Sequence, residues 1–272
     1  MFFQILPVDK IVIKGKLSVI KMSIKSVLKV LLPSVLRKFL RRMQAQFTPP
    51  EQRFRGMSKK VLFDTIYQEK IWGEDNQGNG TSGSGSSDPE VIEPYVVAVR
   101  KFLESGFCKT IVDLGCGDFN VGKHFVGLTP NYIACDVSDV ILDQVRANSD
   151  YHAVQFVNLD LSKDLLPHGD LGIVRQVLQH LSNADIQCFV EQLNRVRPYR
   201  FLLLTEHLPF GSNFKVNKDK PVGSSTRVAL NSGVFLHERP FSLHYKSYRV
   251  LCEVPKETFG KAAVIRSTLY EL

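Results

Sequence analysis

The stretch Val112-Asp113-Leu114-Gly115-Cys116-Gly117-Asp118 sets two glycines between two carboxylates, directly after a short apolar run. Gly115 and Gly117 permit a tight turn and let a ligand come close to the backbone. Asp136 closes the next apolar run, 21 positions after Gly115, where an acid can accept hydrogen bonds from both hydroxyls of a ribose. The signs of the charges narrow the choice of ligand. Asp113 and Asp118 would repel a pyrophosphate, and the third glycine of a dinucleotide fingerprint would fall on Asn120. S-adenosylmethionine has no phosphate and carries a sulfonium and an ammonium, both of which suit an acidic turn.

A sulfonium donor is already activated, so a protein using it mainly has to align nucleophile, methyl and sulfur. A hydroxyl acceptor also gains from a general base. His180 follows the fourth apolar run and is the first candidate for that base; Glu206 and His207, just beyond the fifth, are the second. Arg175 is placed either to orient an acidic or hydroxylated acceptor or to form a structural salt bridge. The polar loop 208–240 is too long for a plain connection and reads as an acceptor pocket or its lid, with Asn217 and Arg227 as acceptor contacts. No His/Cys/acid cluster has metal-ligand spacing, so no metal is expected.

Short apolar runs alternating with helical patterns must hold these groups. Strands are predicted at 110–114, 132–135, 153–157, 171–174 and 201–204. Helices are predicted over 58–71, 89–105 (capped by Asp88-Pro89), 139–148 and 183–195. This alternation predicts an α/β, Rossmann-like fold with a mostly parallel sheet and helices on both faces. Residues 248–254 and 263–270 add a closing antiparallel pair, giving seven strands. The stretch 73–88 (GEDNQGNGTSGSGSSD) reads by composition as a flexible linker.

The formal net charge of +8 is unevenly placed. Residues 1–60 hold 14 of the 35 Lys/Arg and 2 of the 27 Asp/Glu, so the remaining 212 residues are net acidic. That argues against a nucleic-acid partner for the body of the chain. Two regions are expected: a basic amphipathic extension, 1–57, and a catalytic domain, 58–272. Over 23–45, Ile24, Leu28, Leu31, Val35 and Phe39 follow helical spacing among six Lys/Arg. A helix of this kind lies on an anionic membrane surface, packs on its own domain or touches nucleic acid. The first of these would place a cytoplasmic protein peripherally at the inner face of the membrane. Met22 is an alternative start to Met1. Five cysteines without a CxxC pair imply buried thiols rather than disulfides or zinc.

Residues 90–205 resemble the class I S-adenosylmethionine-dependent methyltransferases. The resemblance implies that Asp113, Gly115 and Gly117 meet the methionine end of the cofactor and that Asp136 meets its ribose, with Asp118 and Val137 as further cofactor contacts. It places Asp160 and Leu161, in Asn158-Leu159-Asp160-Leu161, near the adenine amine. The stretch Arg175-Gln176-Val177-Leu178-Gln179-His180-Leu181-Ser182 is similar to one found at the junction of cofactor and acceptor in these enzymes, with Gln176 on the cofactor side. IYQEKIWG (66–73), SGSGSS (82–87), DLGCGDFN (113–120) and LQHLSNADI (178–186) together resemble a bacterial subgroup associated with surface-polysaccharide biosynthesis. Within that subgroup residues 82–87, with Ser82 and Gly83, form a loop covering the cofactor and Trp72 stands just before it as a further cofactor contact, the opposite of the linker that composition suggests. The implied acceptor is a sugar or glycan hydroxyl; another small molecule, a lipid, RNA or a non-catalytic cofactor-binding role are the alternatives. Thr205-Glu206-His207 departs from the threonine-rich run expected after the fifth strand.

Overall fold

The computed structural model describes residues 10–15, 18–23, 53–257, 260 and 262–272. The chain divides into two compact units, Met1–Arg53 and Phe54–Leu272. In the first, β1 (Lys10–Gly15) and β2 (Ser18–Ser23) form an antiparallel hairpin that closes through the pair Gly15 and Ser18. The basic amphipathic helix expected over 23–45 falls outside the described residues beyond Ser23, which ends β2. No helix of the described residues is long and apolar enough to cross a membrane.

The second unit is built on a seven-stranded sheet. Its strands are β3 (Thr110–Leu114), β4 (Asn131–Asp136), β5 (Val154–Asn158), β6 (Leu171–Arg175), β7 (Phe201–Pro209), β8 (Ser247–Pro255) and β9 (Ala263–Glu271). They lie in the order β5-β4-β3-β6-β7-β9-β8. The first five run parallel, and β9 inserts antiparallel between β7 and β8. The strand order reverses between β3 and β6, and open α/β sheets bind ligands in the crevice at such a point.

The helices are α1 (Lys59–Gln68), the single-turn α2 (Ser84–Ser87), α3 (Pro89–Leu103), α4 (Asp139–Arg146) and α5 (Asn183–Val196). Hydroxyl or carboxylate caps start four of them: Ser58 accepts from Val61 N–H, Asp88 from Glu90, Ser138 from Ile141 and Ser182 from Asp185. Pro89 opens α3, where its missing N–H costs nothing.

Strand alternation sorts the core onto two faces. Val112 and Leu114 of β3 pack with Leu62 and Ile66 of α1 and Ile186, Phe189 and Val190 of α5. Ile111 of β3 packs on the other face with Tyr95 and Val99 of α3, Phe119, Phe125 and Tyr132. Asp113, two residues on, therefore points to that second face, and Tyr132 Oη donates to its carboxylate at 3.0 Å.

The fifth strand is longer than its apolar run suggested. It continues to Pro209 because β9 pairs with it along its whole length, so Glu206 and His207 lie inside the strand rather than beyond it. Gly172 of β6 meets the ring of Tyr199 so closely that a Cβ there would fall 2.6 Å from Cδ2. Gly172→Ala should overpack this contact and lower stability by about 1–3 kcal/mol, read as a fall in the urea midpoint with an unchanged slope.

Candidate functional site

The carboxyl ends of β3, β4 and β6 open into a cavity of about 1050 Å³, its mouth included. The turn after β3 forms its floor. Gly115 (φ +85°) and Gly117 (φ +54°) take left-handed conformations that glycine adopts without strain. Both are also crowded: a Cβ on Gly115 would lie 2.3 Å from Val177 Cγ2, and one on Gly117 would lie 2.2 Å from Ser82 Oγ.

The acids surround this turn. Asp136 accepts from Gly117 N–H at 3.0 Å and from Ser138 N–H at 2.9 Å. Burial pushes its pKa up to about 6, against the pull of those N–H groups. Burial likewise raises Asp113 to about 7, despite the Tyr132 hydroxyl and the nearby Arg175 charge. Asp118 is also raised, again by burial. The cavity thus gathers three carboxyl groups that give up their protons reluctantly.

The Gly/Ser stretch expected to be either linker or cover lies across this turn. Ser82 N–H donates to Asp118 Oδ2 at 2.8 Å, and Asp118 N–H donates back to Ser82 Oγ at 2.9 Å. Asn120 Nδ2 donates to Ser86 O at 2.7 Å. From the end of β6, Arg175 donates to Gly85 O at 2.6 Å and to Ser86 Oγ at 3.0 Å, and Gln176 Nε2 reaches Gly85 O at 3.3 Å. Of the expected loop residues, Trp72 and Ser82 line the cavity. Gly83 does not; its φ of +85° turns the chain into α2 just beside Trp72.

Trp72 closes one wall. Its ring lies 4.8 Å from His180 and 5.6 Å from Tyr67, and its indole N–H donates to Ser224 O at 3.1 Å. His180 lines the cavity, but its environment opposes the expected base role. Burial and the Lys220 charge push its pKa down to about 3. Its Nδ1 sits 3.2 Å from Gly223 O and its Nε2 sits 3.3 Å from Gln179 Nε2. This geometry makes it a neutral, hydrogen-bonded wall residue, a poor proton acceptor near neutral pH.

Val137, Asp160, Leu161 and Gln176 line the cavity as well. Asp160 is heavily engaged, pairing with Lys59 Nζ at 3.2 Å and accepting from Ser162 N–H and Oγ at 3.1 and 2.9 Å. Lys59 also binds Asp185, tying the start of α1 to the start of α5.

Four expected site residues lie elsewhere. Glu206 and His207 are buried in β7 and do not line the cavity, and burial pushes Glu206 up to about 8. Asn217 has its side chain spent on the loop itself: Nδ2 donates to the carbonyls of Phe235 and Arg239, and Oδ1 accepts from Phe235 N–H. Arg227 is fully buried and donates to Lys218 O and to Leu181 O. The loop 208–240 contributes no lining residue. It buttresses the wall from behind, through Gly223 against His180 and Ser224 against Trp72. Its polar side chains serve its own fold, which composition does not distinguish from a ligand pocket.

Sequence reasoning missed Lys59, Tyr67, Tyr95 and Tyr132, all of which line the cavity. Tyr132 had a legible signal. In parallel register it pairs with Ile111, which places it on the Asp113 face. The other three come from helices, where only the three-dimensional packing shows which turn meets the sheet. Among the described residues no group of three or more His, Cys, Asp or Glu could hold a metal ion.

No protein-family model matches the chain, and no curated protein matches it. Solved structures do. The N-methyltransferase NodS from Bradyrhizobium japonicum, in complex with S-adenosyl-L-homocysteine, is similar with a TM-score of 0.50 at 12% identity, over 76% of this chain and 98% of that one. A magnesium protoporphyrin IX methyltransferase from Synechocystis, with bound S-adenosylmethionine, gives a TM-score of 0.48 at 14% identity, over 79% and 98%. At such identities the likeness to NodS bears on the fold alone. The strand order and the antiparallel C-terminal pair give this unit the Rossmann-like fold of class I methyltransferases.

The buried acids set a pH dependence. Because the folded pKa of Asp136 is raised from 3.8 to about 6, its contribution to stability is fully present below pH 3.8 and is lost as pH rises through about 6. Relative to Asp136→Asn, the ligand-free wild type should therefore lose on the order of 2–3 kcal/mol between pH 4 and pH 7. Paired denaturant titrations across that range check this; a difference independent of pH contradicts it.

Proposed function

We propose that this chain is an S-adenosylmethionine-dependent methyltransferase whose acceptor is a sugar or glycan hydroxyl. One observation carries the donor assignment: the glycine turn at the switch point of the sheet is lined by Asp113, Asp118 and Asp136, and all three face one cavity. A sulfonium and an ammonium gain from such a setting, whereas a pyrophosphate would be repelled there. The methyltransferase-like topology supports the same reading. The acceptor class rests on the sequence resemblance carried by IYQEKIWG, SGSGSS, DLGCGDFN and LQHLSNADI.

In this reading Asp136 holds the ribose hydroxyls with the acceptor capacity left beyond Gly117 and Ser138. Val137 and Leu161 supply apolar contact for the adenine. The 82–87 loop closes over the donor and keeps water from the sulfonium. The donor brings the activated methyl group, and the residues around the cavity orient it and exclude solvent.

Trp72 is the sole tryptophan of the sequence and stands in the cavity wall, so its fluorescence reports occupancy directly. Titration with S-adenosylhomocysteine should change that emission in a saturable way, while nicotinamide dinucleotides should leave it unaltered. Asp136→Ala removes hydrogen bonds to a charged acceptor, worth roughly 1.5–3 kcal/mol; it should weaken S-adenosylhomocysteine about 10- to 100-fold by calorimetry. Incubation of the full chain with labelled donor and cell-envelope extracts should place label on a carbohydrate fraction by mass spectrometry. Label found solely in lipid, protein or RNA would refute the acceptor assignment and leave the donor assignment standing.

A further inference from the structure

Glu206 is a buried acid that does not line the cavity. It follows Leu204 by two positions in β7 and so shares its face, where Leu204 packs with residues of α1 and α5. It is 2% exposed, and neither carboxyl oxygen has a hydrogen-bond partner. Buried polar atoms are seldom left so. What these oxygens face is the back of the cavity wall. The N–H groups of Leu178 and Gln179, which open a short 3-10 turn (Leu178–His180), act on the carboxyl group, and so does the charge of Arg227.

Arg227 reaches the same turn from the loop. It is fully buried, donates to Leu181 O at 2.7 Å and to Lys218 O, and leaves its Nε without a partner. Each charge of the pair acts on the other, yet no hydrogen bond joins them. The backbone beside Glu206 holds the start of the segment: Gln176 N–H donates to Thr205 O at 2.7 Å, and Gln176 takes a left-handed φ of +56° that few side chains adopt. Gly223 N–H and Lys220 Nζ hold its far end at His180 O. Between these ties the segment carries Val177, Gln179, His180 and Leu181 into the cavity, where the His180 ring lies against Trp72.

We propose that Glu206 and Arg227 are positioning residues that grip the turn 178–181 from behind and thereby set where His180 and Trp72 stand in the cavity wall. Burial pushes Glu206 up to about 8, against the pull of Arg227 and the two N–H groups. Below that pH the carboxyl group is neutral and its hold is weak. Above it the carboxylate draws Leu178, Gln179 and Arg227 towards β7, because hydrogen bonds to a charged acceptor are the stronger ones. The other charged and titratable groups around it are accounted for. Arg266, its cross-strand neighbour in β9, is paired with Glu253, and Tyr270 of β9 senses its charge. Asp219 acts on Arg227, and His180 is held neutral beside Lys220. The grip stands without the donor reading; its effect on how closely an acceptor approaches rests on the proposed function.

Trp72 emission from the full chain, with no donor or acceptor added, tests this. Followed through rising pH, it should shift in a one-proton step with its midpoint at about 8. Glu206→Gln fixes the neutral form at nearly the same shape and should abolish that step. Arg227→Gln should move the midpoint upward, because the guanidinium charge holds it down. Wild-type emission with no step near 8 overturns the proposal, as does Glu206→Gln protein that keeps the step. Where the variants do not fold, the backbone amide resonances of Leu178 and Gln179 in wild-type protein decide. Resonances that titrate with the same midpoint support the grip, and resonances that pass through that pH unchanged overturn it. No readout uses a methyl donor, so failure here leaves the donor assignment standing, and failure to bind S-adenosylhomocysteine leaves the grip standing.

Discussion

The site depends on how two buried carboxylates, Asp113 and Asp136, and a half-buried one, Asp118, are held around one glycine turn. A carboxylate removed from water survives only where N–H groups or cations meet it. Here the backbone meets it: Gly117 and Ser138 donate to Asp136, and Ser82 and Asn120 donate to Asp118. Those bonds fix the turn, and the turn fixes the cavity floor. Compensation is partial, since burial still holds Asp136 and Asp113 at about 6 and about 7. In the proposed reading a cationic donor completes this compensation, so the shape of the turn and its preference for positive charge have one cause.

The covering loop follows from the same bonds. Its composition is that of a flexible tether, but its glycines serve close packing. A Cβ on Gly80 would fall 2.2 Å from Tyr67 O, and one on Gly85 would fall 2.4 Å from Gln176 Oε1. With no side chains in the way, the loop backbone comes within reach of Asp118 and Asn120 in the turn after β3, Arg175 at the end of β6 and Gln176 just beyond it. Those side chains, together with the hydroxyls of Ser82 and Ser86, hold it in place.

These two cases explain what the sequence made legible. Strands β3 to β6 were readable to within a residue or so from their short apolar runs: β3 and β6 are buried almost throughout, β4 over its second half, and the edge strand β5 only at Val154. The end of β7 was not, since Glu206 and His207 interrupt the apolar run and only pairing with β9 carries the strand past them. The acidic turn was legible as a local motif of charge and glycine. Loop 208–240 was misread because Asn217, folded onto the carbonyls of residues about twenty positions away, looks in sequence like any exposed polar side chain. Arg227 was misread for the same reason: burial against Leu181 O is a long-range fact.

The neutrality of His180 bears on how such a site would accelerate methyl transfer. A group with a pKa of about 3 takes little part in removing a proton near neutral pH. Base catalysis contributes roughly 100- to 10,000-fold, whereas alignment of reacting groups can contribute on the order of 7–11 kcal/mol, considerably more. A donor that already carries a sulfonium leaving group can be served by alignment alone, its acceptor losing the proton to water afterwards. The wall built from Trp72, Tyr67 and His180, braced from behind by Gly223 and Ser224, is suited to that task. In the proposed reading this neutral wall bounds the space beside the methyl group without taking part in the proton transfer.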